Sequence, residues 1–124
     1  MKRILIADDK STGRELVRTI LENDGYEVHE AVDGPHAVEQ ARSLRPHLVI
    51  LDLHMPGMDG FSVVATLRQE PAFSSTPILA LTASAMMGDR ERALGAGFTG
   101  YCTKPIRLAA LRAEIVRLLK EEPT

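Results

Sequence analysis

The sequence lacks most of the features that would assign a chain to a specialised class of protein. It has a single cysteine, Cys102, which excludes an internal disulfide framework and is typical of a reducing compartment. Its formal net charge of -2 gives no basic surplus of the kind that marks nucleic-acid binding. No apolar run approaches the length of a membrane span or of a signal-peptide core. We therefore expect a cytoplasmic protein that binds neither nucleic acid nor a membrane directly.

The composition itself is that of an ordinary globular domain. Hydrophobic residues make up 44% of the 124 positions and charged residues 26%, a balance that allows a real core to form without disulfides. There is no internal repeat, low-complexity segment or linker. We expect one domain over residues 1–121, followed by a short C-terminal tail at 122–124.

Short apolar segments alternate with helical periodicities along the chain. The predicted strands lie at 4–7, 26–32, 48–51, 78–81 and 100–102. Apolar residues recur at helical spacing within the segments 16–21, 37–44, 61–67, 86–94 and 108–119. This alternation predicts an α/β, doubly wound (βα)5 fold whose five-stranded parallel sheet is covered by helices on both faces. We expect the flavodoxin-like strand order 2-1-3-4-5, with the first and third strands adjacent at the centre.

Polar residues stand at the carboxyl ends of four predicted strands. They are Asp8 and Asp9, Asp52, Thr82 and Lys104. In a doubly wound sheet these ends meet at one edge, where ligands bind. Each residue alone has an ordinary interpretation, since an acid can cap a helix and a lysine can be a solvated loop charge. Their conjunction favours a binding site.

The chemistry of that site follows from its charges. Two carboxylates about 5 Å apart repel by roughly 3 kcal/mol at an effective dielectric constant of about 20. A divalent cation reverses that sign, and oxygen ligands without a cysteine or histidine cluster favour Mg²⁺ over zinc. Lys104 and the Thr82 hydroxyl can then bind the oxygens of an anion. The set predicts phosphoryl transfer to an aspartate, and Asp52, alone at the end of the central strand, is the candidate nucleophile.

Four short motifs carry a resemblance to a known family. They are "IADDK" after the first strand, "LDLHMPGMDG" after the third, "ALTAS" after the fourth and "GYCTKP" after the fifth. In this order and spacing, and over essentially the whole chain, they resemble the response-regulator receiver domain of two-component signalling.

The resemblance implies a role for each acid. Asp52 would be the phosphorylated aspartate. Mg²⁺ would be held by Asp9, more indirectly by Asp8, by Asp52 itself, and by the backbone carbonyl of His54. The side chain of His54 is as well explained by a solvated loop position as by a catalytic role.

The resemblance also implies a switch. The Thr82 hydroxyl would move to a phosphoryl oxygen, and Lys104 would pair with the phosphoryl group. The inward or outward rotamer of Tyr101 would report the state of Thr82. The bond between Lys104 and Pro105 would be cis.

The implied function is that of a phosphorylation-controlled switch and not of an enzyme with a separate substrate. A histidine kinase or phosphotransfer protein would donate the phosphoryl group, and the face formed by the fourth helix, fifth strand and fifth helix would then bind a downstream protein target. We expect donor recognition on the first helix, at Ser11, Arg14, Glu15 and Arg18. Because the chain ends just after the fifth helix, we expect a single-domain regulator without a DNA-binding output domain.

Two alternatives stay open at this point. The chain could be a receiver fragment of a larger regulator or hybrid kinase. It could also be a Mg²⁺-dependent phosphohydrolase with an aspartyl-phosphate intermediate. Such enzymes usually carry a second acid two residues after the nucleophile, where this chain has His54.

Overall fold

The computed structural model describes residues 2–83 and 88–120. Within them the strands are β1 (Arg3–Ala7), β2 (Glu27–Ala31), β3 (Leu48–Asp52), β4 (Ile78–Thr82) and β5 (Gly100–Thr103). The helices are α1 (Ser11–Asn23), α2 (Gly34–Leu44), α3 (Gly60–Arg68), α4 (Asp89–Ala96) and α5 (Leu108–Leu119), with a 3₁₀ helix at Pro71–Phe73. None of these described helices combines the length and the apolar character needed to cross a membrane.

The sheet confirms the predicted fold class. Its strands are ordered β2-β1-β3-β4-β5, and every neighbouring pair is parallel. Ala7 of β1 pairs with Leu51 of β3, so the residues that follow them, Asp8 just after β1 and Asp52 at the end of β3, lie side by side. Parallel strands joined by helices bring all their carboxyl ends to one edge. The register therefore places the predicted polar residues at that edge.

The apolar core lies in two layers because side chains alternate along each strand. In β1, Leu5 and Ala7 contact one cluster, whereas Ile4 and Ile6 contact the other. The first cluster is completed by buried residues of α2, α3 and α4, and the second by buried residues of α1 and α5. Both faces of the sheet are thus covered, as the continuous apolar strands predict.

Capping side chains explain where two helices begin. Asp59 precedes α3 and caps it, because its carboxylate accepts a hydrogen bond from the Ser62 N–H. Asp33 caps α2 in the same way through the His36 N–H. By contrast, α1 follows Lys10 and has no side-chain cap. The ordinary capping interpretation of the acid pair after β1 is therefore wrong.

Three leucines of the predicted apolar stripes face solvent instead. The exposed fractions are 51% for Leu16, 41% for Leu94 and 44% for Leu108, so none of them belongs to the core. Helical periodicity shows that a stripe exists but does not fix how far around the helix the neighbouring layer reaches. The predicted start of the fourth helix at Met86 and Met87 lies outside the described residues.

A half-buried arginine ties α3 to the end of α4. The Arg68 guanidinium donates two hydrogen bonds to the Gly97 carbonyl, at 3.0 and 2.9 Å, and others to the carbonyls of Phe73 and Thr76, at 2.6 and 2.7 Å. Burial lowers the pKa of this guanidinium. Gly97 itself has a φ of 116°, which favours glycine and ends α4.

Candidate functional site

The structure brings the predicted polar residues together at the carboxyl edge of the sheet. Asp8, Asp52 and Thr82 are almost fully buried, with 2%, 5% and 1% of their surfaces exposed. Buried carboxylates are costly unless they are paired or bind a cation. Their partners therefore decide what this edge can do.

Lys104 bridges the two buried acids. Its Nζ lies 3.0 Å from Asp8 Oδ2 and 3.3 Å from Asp52 Oδ2. Burial would lower the pKa of the ammonium, but the hydrogen bond to Asp8 and the charge of Asp52 outweigh burial and raise the pKa. The lysine is therefore held in its charged form between two carboxylates.

Asp52 is oriented by two contacts. Its Oδ1 accepts the backbone N–H of His54 at 3.0 Å, and its Oδ2 faces Lys104. Burial raises the pKa of Asp52, although the His54 N–H and the Lys104 charge act in the opposite direction. Two fixed contacts hold the carboxylate at the end of β3.

Asp9 completes an acidic cluster with the two buried acids. Carboxylate oxygens of Asp8, Asp9 and Asp52 all lie within 4.8 Å of one another, and Asp9 is exposed. Lys104 pairs with Asp8 and Asp52, and no ion pair within the described residues involves Asp9, so the cluster keeps an excess of negative charge. Oxygen ligands with an open, solvent-facing side fit Mg²⁺, which keeps several waters. That the His54 carbonyl also binds the ion stays a prediction.

A cavity of about 330 Å³ opens onto the site. Asp52 and Lys104 lie in its wall, together with the exposed Leu16 and the small side chain of Ala83. A phosphoryl-sized group therefore has room to approach Asp52 from outside. Next to this cavity, the bond between Lys104 and Pro105 is cis.

The two residues of the predicted switch lie in adjacent strands. Thr82 ends β4 and is buried, while Tyr101 in β5 is half-buried and packs against the apolar cluster of α2, α3 and α4. Burial raises the pKa of Tyr101, and the charges of Asp89 and Glu91 add to the shift. That Thr82 and Tyr101 move together stays a prediction.

A second cavity of about 500 Å³ lies between β5 and α5. Tyr101, Cys102, Ile106, Arg107 and Glu114 are among its lining residues. Burial, with a smaller contribution from Glu114, raises the pKa of the Cys102 thiol to about 11. The cavity lies on the face predicted to bind a downstream target.

The predicted donor surface on α1 divides into two pairs. Ser11 and Glu15 are exposed. Arg14 and Arg18 instead form ion pairs with Glu30 of β2, at 3.1 and 2.6 Å. The two arginines are therefore partly occupied within the domain.

Gly13 belongs to the site although the sequence analysis did not select it. A Cβ at this position would lie 2.6 Å from Asp8 Oδ2, closer than van der Waals contact allows. Only glycine lets α1 approach the buried acid so closely. The sequence did carry a signal for this position, because an isolated glycine stands within a helical pattern four residues after the acid pair.

Comparison with known proteins agrees with this geometry. A family model for the response regulator receiver domain matches residues 4–116. The chain is 38% identical over 120 residues to the DNA-binding dual master transcriptional regulator RpaA of Synechocystis, an alignment that covers 97% of this chain and 50% of that protein. The chain thus spans about half the length of this curated relative.

Solved structures show the same fold. Chemotaxis protein CheY4 of Vibrio cholerae is similar with a TM-score of 0.89 and 33% identity, covering 95% of this chain and 98% of that one. The receiver domain of sensor histidine kinase PA1611 from Pseudomonas aeruginosa, described with a magnesium ion in its active-site cleft, has a TM-score of 0.89 and 32% identity over 97% and 98% of the two chains. The chain therefore belongs to the response regulator receiver domains, the phosphorylation-controlled switches of two-component signalling.

Proposed function

We propose that Asp52 is the residue that accepts the phosphoryl group. The observation that carries this proposal is the position of Lys104, whose Nζ lies 3.0 Å from Asp8 and 3.3 Å from Asp52 in a cluster of three carboxylates. An ammonium next to the acceptor can bind the oxygens of an incoming phosphoryl group. Asp52 also faces the cavity through which a donor would approach.

The transfer forms one bond and breaks one. A carboxylate oxygen of Asp52 attacks the phosphorus of a phosphohistidine, the P–N bond breaks, and its electron pair returns to the imidazole of the donor. The product is an acyl phosphate on Asp52. Lys104, already fixed by Asp8, stays beside the transferred group, and the Thr82 hydroxyl donates to one of its oxygens.

Asp8, Asp9 and Asp52 are the residues that would hold Mg²⁺. Their oxygen-only donor set and their excess of negative charge support this assignment. When bound, the ion would neutralise the charge of the phosphoryl oxygens and of the acids.

The donor would be a histidine kinase or a phosphotransfer protein, and the output a protein contact. Recognition of the donor would use the exposed Ser11 and Glu15 more than Arg14 and Arg18. The face of α4, β5 and α5, with its 500 Å³ cavity, would bind the downstream target. We propose a cytoplasmic domain without direct nucleic-acid binding, which catalyses only its own phosphoryl transfer and dephosphorylation. The hydrolase alternative is not favoured, because the position of its second acid is occupied by His54.

Labelling with radioactive acetyl phosphate and Mg²⁺ tests the acceptor. The wild-type protein should gain a label that hydroxylamine removes, as expected for an acyl phosphate, and Asp52→Asn should gain none. Asp33→Asn is the matched control, since asparagine also caps a helix well and Asp33 lies after the outer strand β2. Undiminished labelling of Asp52→Asn would refute the assignment.

A further inference from the structure

The loop that carries the two acids after β1 is fastened to the rest of the domain through its backbone. The Asp8 N–H donates to the carbonyl of Ala31 at the end of β2, at 3.2 Å. The Asp8 carbonyl accepts a hydrogen bond from Nη1 of Arg14 at 2.7 Å. That carbonyl belongs to the peptide unit that joins Asp8 to Asp9, so the arginine holds the plane from which Asp9 departs.

Asp9 depends on this backbone contact for its position. Its side chain is exposed, and within residues 2–83 and 88–120 no hydrogen bond or ion pair holds its carboxylate. Asp8, by contrast, is held through its side chain by Lys104 and by the Lys10 N–H. A ligand without contacts of its own can be directed only by the chain on either side of it.

Arg14 is itself fixed from the far side. Its Nε donates to Oε1 of Glu30 at 3.1 Å, and only 14% of the Arg14 side chain and 24% of the Glu30 side chain are exposed. Glu30 also binds Arg18 at 2.6 Å. The hydrogen bond from Arg18 and, to a lesser degree, the one from Arg14 hold the pKa of Glu30 below its usual value, against the effect of burial. Glu30 is therefore a charged anchor on β2.

We infer that Arg14, oriented by Glu30, is a positioning residue for the metal site: it fixes the peptide between Asp8 and Asp9 and thereby the direction of the Asp9 carboxylate. This inference rests on the proposed binding of Mg²⁺ by Asp8, Asp9 and Asp52. Residues that orient metal ligands typically change metal affinity by roughly 10–100-fold when they are replaced.

The charge of Arg14 makes the inference testable by the sign of the effect. A guanidinium beside a metal site repels a cation. If its charge were all that mattered, removing the guanidinium would strengthen Mg²⁺ binding. Loss of a positioning contact would weaken the binding instead. The two explanations therefore predict opposite changes for Arg14→Gln.

Titration calorimetry with Mg²⁺ alone measures that sign. We expect Arg14→Gln to bind Mg²⁺ about 10-fold more weakly than wild type, at the low end of the usual range for such partners. Arg18→Gln is the matched control, because it removes the same charge from the same helix and the same Glu30 but makes no contact with Asp8. It should bind Mg²⁺ as tightly as wild type or slightly more tightly.

Two further variants separate positioning from general destabilisation. Glu30→Gln should weaken Mg²⁺ binding, and this effect should vanish in the Arg14→Gln background, because Glu30 acts through Arg14. Arg14→Lys restores the charge but not the forked geometry, so it should stay weaker than wild type. Thermal melts without Mg²⁺ give the temperature at which each variant unfolds, and the titrations are made well below that temperature.

The outcomes separate a failure of the positioning role of Arg14 from a failure of the proposed Mg²⁺ site. Equal or tighter Mg²⁺ binding by Arg14→Gln, with normal binding by wild type, would overturn the positioning role and leave the metal site standing. If Arg14→Gln does not fold, equal binding by Glu30→Gln and wild type overturns the role. No Mg²⁺ binding by the wild-type protein would overturn both.

Discussion

The two edges of the sheet differ in how their charged side chains are paired and how deeply they are buried. At the amino edge, Arg3 pairs with Glu27 at 3.2 Å and donates to the Leu44 carbonyl, and nearly half of each charged side chain is exposed. At the carboxyl edge, Lys104 pairs with the buried Asp8 and Asp52, and the exposed Asp9 adds a third carboxylate to the cluster. Solvent-accessible ion pairs of this kind contribute little to stability. Buried charge that is not matched is costly, and the difference marks the carboxyl edge as the one built for a ligand.

Replacing Lys104 at the carboxyl edge should have the largest effect of the changes considered at the two edges. In Lys104→Gln the acyl-phosphate labelling rate should fall by about 100-fold, the usual loss when a charged or polar donor is taken from a developing anion. Mg²⁺ affinity should rise, because an ammonium no longer competes for the carboxylates. Labelling time courses and calorimetry measure the two effects. Lys120→Gln, at the end of α5, is the control, and a labelling rate within twofold of wild type for Lys104→Gln would contradict the role.

Filling the space beside Asp8 should have the next largest effect. Gly13→Ala places a methyl group 2.6 Å from Asp8 Oδ2, so we expect a loss of about 1–3 kcal/mol in the free energy of unfolding. Gly95→Ala is the matched control in α4, where a Cβ would meet nothing within 4 Å. That change should stabilise the protein by roughly 0.5–1 kcal/mol. Urea denaturation checks both, and stabilisation by Gly13→Ala would show that the close approach is relaxed in solution.

The smallest effect should come from the amino edge. Arg3→Gln removes a charge from an exposed pair, so the thermal midpoint, the labelling rate and Mg²⁺ affinity should stay close to those of wild type. The same measurements used for Lys104→Gln apply. A loss of labelling in Arg3→Gln would mean that the two edges are energetically connected.

Residues at the ends of strands could be predicted from the sequence, whereas contacts made from the surface of a helix could not. Strand ends are marked by single residues in a fixed register, so the meeting of Asp8, Asp52, Thr82 and Lys104 followed from the strand order alone. The role of Arg14 could not be predicted in this way. Its contacts depend on which side of α1 turns back towards β2, and an arginine on a helix is normally a solvated charge.

Two other features depended on packing that no local pattern describes. Leu16 has the spacing of a core residue, yet it lies beside the open cavity and not beneath a neighbouring layer. Arg68 ends α3 and would ordinarily be solvated, but the 3₁₀ helix and the end of α4 close over it. Periodicity reports the preference of one segment, whereas these positions are decided by distant segments.

The contacts of Arg68 limit how α4 can respond to events at Asp52. The guanidinium clamps the carbonyl of Gly97, the residue at which α4 ends. Any displacement that preserves these bonds must pivot about that end, so the travel of the helix grows towards Asp89. The helix is thus hinged at its C-terminal end, and its N-terminal turn is the part that would be displaced farthest.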